Sequence, residues 1–193
     1  MPVSIVLAST SAHRRLLLEK LKLPFTVAVP GVDEARHDGE SIAALVRRLS
    51  RAKAEAVAAG RRGALIIGSD QAAERDDEIL GKPGDHAKAT AQLRAASGKT
   101  VTFHTCLCLL DTRDGRYREH VDLTRVHFRS LGDAEIERYL KAETPYDCAG
   151  SFKSEGLGVS LFESIESTDP TALVGLPLMA LCRFLRECGW VIP

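Results

Sequence analysis

The chain has no net charge: its 193 residues hold 26 lysines and arginines against 26 aspartates and glutamates. A general nucleic-acid binder usually shows a basic excess, so that class is disfavoured. Aromatic residues are scarce, at 5%, which leaves little to stack on unpaired bases. Neither shortage argues against a small anion held by a local cluster of charge. No apolar run approaches the ~20 residues that span a bilayer, so no membrane partner is expected. The opening stretch MPVSIVLAS lacks a basic start and a long apolar region, and reads as a strand rather than a leader. The five cysteines are odd in number and scattered, with no CxxC pair and no nearby Cys/His set for zinc. Cys106 and Cys108 alternate along a strand and face one side; reduced thiols in a cytoplasmic protein are expected. The six histidines include no pair at helical ligand spacing. Repeats, low-complexity tracts and linkers are missing too.

What is present suits an α/β domain, or two small lobes sharing a core. Val3–Ala8 is a buried-strand pattern. Ala12–Lys22 reads as a helix with Leu16, Leu17 and Leu21 at core spacing, and Phe25–Val29 as a short strand. Ser41 caps a long helix whose stripe is Ile42, Leu45, Val46, Leu49 and Val57, closed by Gly60. Ala64–Gly68 is a second buried strand, delivering Ser69-Asp70-Gln71 at its end. Asp85 caps a third helix that stops near Gly98. Thr100–Leu110 and Tyr117–Phe128 form a hairpin around the turn Asp111–Gly115. A short helix over Asp133–Lys141, a strand over Gly158–Ile165 and a closing helix over Pro177–Cys188 complete the chain.

Chemistry concentrates at a few places. In LASTSAHRR two arginines stand in the first turn of a helix, where the dipole disfavours cations. Either Ser11 caps the helix and both arginines lie in solvent, or Ser9, Ser11, Arg14 and Arg15 hold an anion at the helix end. Asp70 at a strand end is either a loop aspartate or a carboxylate for metal and water. Asp33 and Glu34 form a second acidic point. Lys53, inside the long helix, either snorkels at the core edge or points into a cleft. Lys82 stands in a rigid Gly-Lys-Pro turn. The stretch CAGSFKSEG carries Lys153 and Glu155 among glycines that allow close backbone approach.

These pieces occur in one order: LASTSxxRR, VDE, a helical lysine, IIGSDQ, GKP, CAGSFKSEG and VGLPL. That order resembles the Maf family of nucleotide pyrophosphatases from Leu7 to about Leu185. The variants GSDQ and AGSFKSEG are similar to the subgroup acting on 7-methyl-GTP; the dTTP/UTP subgroup has a threonine after the aspartate and a glutamine in the later motif. The resemblance implies one Maf-like domain over residues 1–193. Its fold is an elongated mixed sheet flanked by helices, two lobes around a deep cleft, as in inosine triphosphatases. It implies hydrolysis of a nucleoside triphosphate to the monophosphate and pyrophosphate with a divalent metal, Mg²⁺ or Mn²⁺. By motif, Ser9, Ser11, Arg14, Arg15 and Lys153 bind substrate. Asp70, Lys53 and Lys82 serve catalysis, and Glu34 with Asp70 the metal. His13, Gln71 and Glu155 tune base choice. The subgroup carries a larger aromatic at the place of His13 and a proline at that of Ala12. A homodimer is common for such folds. A dTTP/UTP enzyme on the same scaffold and a nucleotide-binding cell-division regulator are the competing readings.

Overall fold

The computed structural model describes residues 3–76 and 78–192, so the first two residues of the MPVSIVLAS strand reading lie outside the described residues. The elements are β1 (Ser4–Ala8), α1 (Ala12–Glu19), β2 (Phe25–Ala28), α2 (Ile42–Ala58), β3 (Ala64–Arg75), β4 (Glu78–Leu80), α3 (His86–Ala96), β5 (Thr100–Asp111), β6 (Arg116–Phe128), α4 (Asp133–Glu143), β7 (Phe162–Glu166) and α5 (Leu178–Glu187). The strands form one mixed sheet in the order β2-β1-β3-β5-β6-β7, with β4 paired to β3. No helix among the described residues is long and apolar enough to cross a membrane. The chain packs as two compact units, neither of them a continuous stretch.

The first unit comprises residues 1–71, 105–122 and 169–193. Here β1 pairs in parallel with both β2 and β3, so its side chains must be covered on both faces. Ile5 and Leu7 pack with Leu65, Ile67, Leu107 and Leu109 against α1 and α5. Val6 and Ala8 pack with Ile66, Cys108 and Leu110 against Ala54 and Val57 of α2. The strand period of two thus assigns odd positions of β3 to one layer and even positions to the other. The long helix follows its sequence pattern: Ser41 accepts the Ala44 N–H, and Ile42, Leu45, Val46, Leu49 and Val57 are all buried. It lies so close over β3 that a Cβ on Gly68 would stand 2.0 Å from the Ser50 carbonyl oxygen.

The second unit comprises residues 72–104 and 123–168. Its core uses four of the chain's six phenylalanines. Phe103, Phe128, Phe152 and Phe162 meet edge to face, with centroid distances of 4.8–5.6 Å. Asp85 caps α3 by accepting the Lys88 N–H.

Four local expectations change. Helix α1 ends at Glu19 in a tight turn through Lys22, which has φ +55°; Leu18 is buried and Leu16 faces outward. Strand β3 does not stop at Gly68. Its parallel pairing with β1 ends there, and antiparallel pairing with β4 begins at Ala73. Residues 157–161 form a 3₁₀ turn, so the strand after them is confined to β7. Pro177 caps α5 rather than occupying its first turn.

Candidate active site

Lys53 recurs at the spacing of Leu49 and Val57 on the buried stripe of α2, so its ammonium is carried into the protein. It is 5% exposed. Its Nζ stands 2.6 Å from Asp70 Oδ1 and 2.6 Å from Glu34 Oε1. Asp70 lies on β3 just past the last residue paired with β1, so the strand-end expectation holds for the parallel part of the sheet. Burial pushes the Asp70 carboxyl above the ordinary aspartate range. Lys53 and, more weakly, Arg14 pull it back, and Glu34 adds to the rise. Glu34 reaches the same ammonium from a loop and is mostly exposed, at 62%. Two carboxylates therefore meet at one cation. Such hard oxygen donors fit Mg²⁺ or Mn²⁺.

The two arginines of the α1 turn separate. Ser11 Oγ accepts the Arg14 N–H at 3.4 Å and caps the helix, while Ser9 Oγ accepts the Ser11 N–H in the turn before it. Arg15 forms a surface pair with Glu19. Arg14 turns inward and donates from Nε to the Gly175 carbonyl at 2.8 Å. Part of the residue is exposed, yet its charged group is enclosed enough that desolvation lowers its pKa against the pull of Asp70 and Glu34. Ser11 thus caps the helix, Arg15 lies on the surface, and Arg14 is held inside. His13 precedes it, half-buried.

Three braces around these groups were not anticipated from sequence. Arg48 donates to both Glu40 carboxylate oxygens, at 2.7 and 2.9 Å, and to the Ala35 carbonyl, fixing the loop that carries Glu34. Asp169, fully buried, accepts from Thr171 and from the Met179 N–H, while Thr171 Oγ1 accepts the Leu178 N–H; together they satisfy the start of α5. Ser69 and Gln71, on the opposite face of β3 from Asp70, reach the turn Ala172–Gly175. The S-T-D-P-T run before VGLPL was a legible capping signal for the second brace.

Lys82, Lys153 and Glu155 belong to the second unit. Lys82 is exposed in its turn. That turn is pinned at both ends: Gln92 donates to the Gly81 carbonyl at 3.0 Å, and the Gly84 N–H donates to the Tyr146 carbonyl at 2.9 Å. Gln92 also accepts from Ser151, tying the turn to the CAGSFKSEG stretch. Lys153 donates from Nζ to the Glu143 carbonyl at 2.8 Å, capping α4, and its N–H donates to Tyr139. Glu143 Oε1 accepts the Leu157 N–H. The glycines are explained by crowding: a Cβ on Gly158 would lie 2.2 Å from the Lys153 carbonyl oxygen, and one on Gly156 2.7 Å from Glu143 Oε1. Glu155 is exposed beside Ser154.

The family model described as Maf-like protein matches residues 4–188. The chain belongs to the Maf family. Among curated proteins, this Maf chain is 56% identical over 187 residues to the 7-methyl-GTP pyrophosphatase of Cupriavidus metallidurans, covering 97% of this chain and 94% of that one. It is also 56% identical over 189 residues to the 7-methyl-GTP pyrophosphatase of Xanthomonas oryzae pv. oryzae, covering 98% of each. Among solved structures, the Staphylococcus aureus Ham1 protein matches with a TM-score of 0.50 at 13% identity, over 95% of this chain and 98% of that one. This last likeness shows the fold alone. It agrees with the mixed sheet flanked by helices that the motifs implied for this Maf protein.

Proposed function

We propose that this Maf protein is a hydrolase that cleaves 7-methyl-GTP to the monophosphate and pyrophosphate. The observation that carries the chemistry is the Lys53 ammonium held 2.6 Å from both Glu34 and Asp70, with the desolvated Arg14 charge acting on the same two carboxylates. The substrate follows from the names of the relatives at 56% identity. A triphosphate brings about four negative charges, which need fixed cations and a metal to offset them. Glu34 and Asp70 would hold the divalent ion, which would supply charge neutralisation and Lewis acidity there.

Asp70 accepts the proton of the attacking water. The water oxygen forms a new bond to phosphorus, the bridging α–β anhydride bond breaks, and pyrophosphate leaves. A carboxyl raised by burial is the stronger base, nearer in pKa to neutral solution. Lys53 keeps that carboxylate ionised and oriented, and Arg14 offers its Nη groups to phosphate because its Nε is already committed. The family motifs assign Lys82 to phosphate, Lys153 to substrate binding and Glu155 to base choice, where a carboxylate accepts both N1–H and the amino group of guanine. The buried, unpaired thiols of Cys106 and Cys108 suit a reducing cytoplasm.

The test is turnover of 7-methyl-GTP, GTP, dTTP and UTP with and without Mg²⁺, with products identified. Preference for 7-methyl-GTP and release of pyrophosphate support the reading. A clear preference for the pyrimidine nucleotides moves the protein to the dTTP/UTP subgroup, and binding without turnover makes it a regulator.

A further inference from the structure

We propose that Ser69 and Gln71 are positioning residues that aim the Arg14 guanidinium at the phosphate chain through the Ala172–Gly175 turn. The inference rests on the reading of Arg14 as a phosphate ligand. It gives the residues flanking Asp70 a task apart from base choice.

The strand period decides the geometry. Asp70 shares its face of β3 with Ile66 and Gly68, toward α2 and Lys53. Ser69 and Gln71 share the opposite face with Leu65 and Ile67, toward α1 and α5. On that face Ser69 Oγ is fully buried, 2.9 Å from the Gly175 carbonyl oxygen and 2.7 Å from that of Cys106. The Gln71 side-chain NH₂ lies 3.0 Å from the Ala172 and Leu173 carbonyls and 2.8 Å from Thr105 Oγ1. Thr105 Oγ1 donates to the Ala172 carbonyl as well. The turn is thus gripped at its start by Gln71 and Thr105 and at its end by Ser69.

The end is the functional part. Gly175 has φ +118°, a conformation in which a side chain is strained. Its carbonyl oxygen receives the Arg14 Nε–H at 2.8 Å. A Cβ at this position would lie 3.4 Å from that same Nε. A guanidinium fixed through Nε has its remaining donors set in one plane. Displacing the turn by even about 1 Å turns that plane away from its target, a misplacement that costs on the order of a hundredfold where geometry matters.

Inorganic tripolyphosphate separates aiming from base reading, because it has no base. Its affinity is measured by titration calorimetry for the unaltered protein, Gln71→Met, Arg14→Ala and the double variant. Aiming predicts a loss of about tenfold or more in Gln71→Met, as expected when a hydrogen bond to a charged group fails, and no further loss when Arg14 is already removed. Ser69→Ala is expected to behave in the same way. Unchanged tripolyphosphate affinity in Gln71→Met, with an altered ranking of 7-methyl-GTP against UTP, overturns the proposal. An equal loss in the Arg14→Ala background also overturns it, since the effect would then be structural. An unaltered protein that does not bind tripolyphosphate refutes the phosphate site itself, and with it the proposed function. If the variants do not fold, the Arg14 Nε–H resonance of the unaltered protein decides. Slow exchange with solvent, and a shift on adding tripolyphosphate, are expected; exchange as fast as that of exposed arginines contradicts the fixed guanidinium.

Discussion

Replacing Gly68 with alanine tests whether the spacing between α2 and β3 sets the distance between Lys53 and Asp70. The added Cβ would lie 2.0 Å from the Ser50 carbonyl oxygen and 3.0 Å from the Ala54 nitrogen. Both are backbone atoms of a helix buried on that side, so no flexible side chain can swing away. Restoring a tolerable contact of about 3 Å moves the helix by about 1 Å. Added to the present 2.6 Å between Lys53 Nζ and Asp70 Oδ1, such a shift along their separation ends the hydrogen bond. Overpacking typically costs about 1–3 kcal/mol, and a backbone clash belongs at the upper end. At roughly 2–4 °C per kcal/mol for a chain of this length, the Tm falls by about 6–12 °C. Turnover of 7-methyl-GTP falls on the order of a hundredfold at a temperature where the variant remains folded. Gly81→Ala is the control, since nothing lies within 4 Å of a Cβ there; its Tm stays within about 2 °C. The assays are a thermal melt and initial rates on both variants. A Gly68→Ala protein as stable and active as the unaltered one refutes the reasoning.

Lys53→Met leaves two carboxylates without their shared cation and lowers stability by about 3 kcal/mol at neutral pH. The raised Asp70 carboxyl stabilises the fold when protonated, so this deficit shrinks toward acid and grows as pH rises through its titration; denaturant melts at pH 5 and 8 should differ accordingly, and an identical deficit at both argues against the pair. The Glu40 carboxyl is held down to about 2 by its hydrogen bonds with Arg48. Its contribution is therefore present above the ordinary 4.5 and is lost only as pH falls toward that low value. NMR titration should show the midpoint moving back up in Arg48→Met, and no movement would dismiss the clamp. Gly158→Ala forces a Cβ to 2.2 Å from the Lys153 carbonyl oxygen and should cost about 2–3 kcal/mol, read by denaturant unfolding; a neutral substitution would mean that the Lys153–Gly158 turn is not fixed as described.

Much of the layered fold was legible because amphipathic periods and caps are local signals. Ser41, Asp85 and the stripe of α2 each state their own structure. What was hidden depended on pairing between distant segments. Ending the second strand at Gly68 made Ser69-Asp70-Gln71 look like a loop. In the structure β3 runs unbroken from Ala64 to Arg75 beside β5, so the stretch is strand, and the alternation then sends Asp70 one way and its neighbours the other. Lys53 was legible as a helical lysine, yet its burial depends on Asp70 and Glu34, which no spacing within α2 reveals. Leu16 and Leu18 exchanged places because three adjacent leucines fit a helical stripe in more than one phase. Arg48 and Gln92 look like ordinary surface residues in sequence, and only their partners distinguish them.

The central claim is that Asp70 accepts the proton of the attacking water while its surroundings hold the substrate. Asp70→Asn keeps the shape and removes the base. Single-turnover cleavage of 7-methyl-GTP, measured beside nucleotide affinity and a thermal melt, tests this most directly. An intact fold, retained binding and a rate lower by about 10²–10⁴-fold are expected; cleavage at a near-normal rate would remove Asp70 as the base.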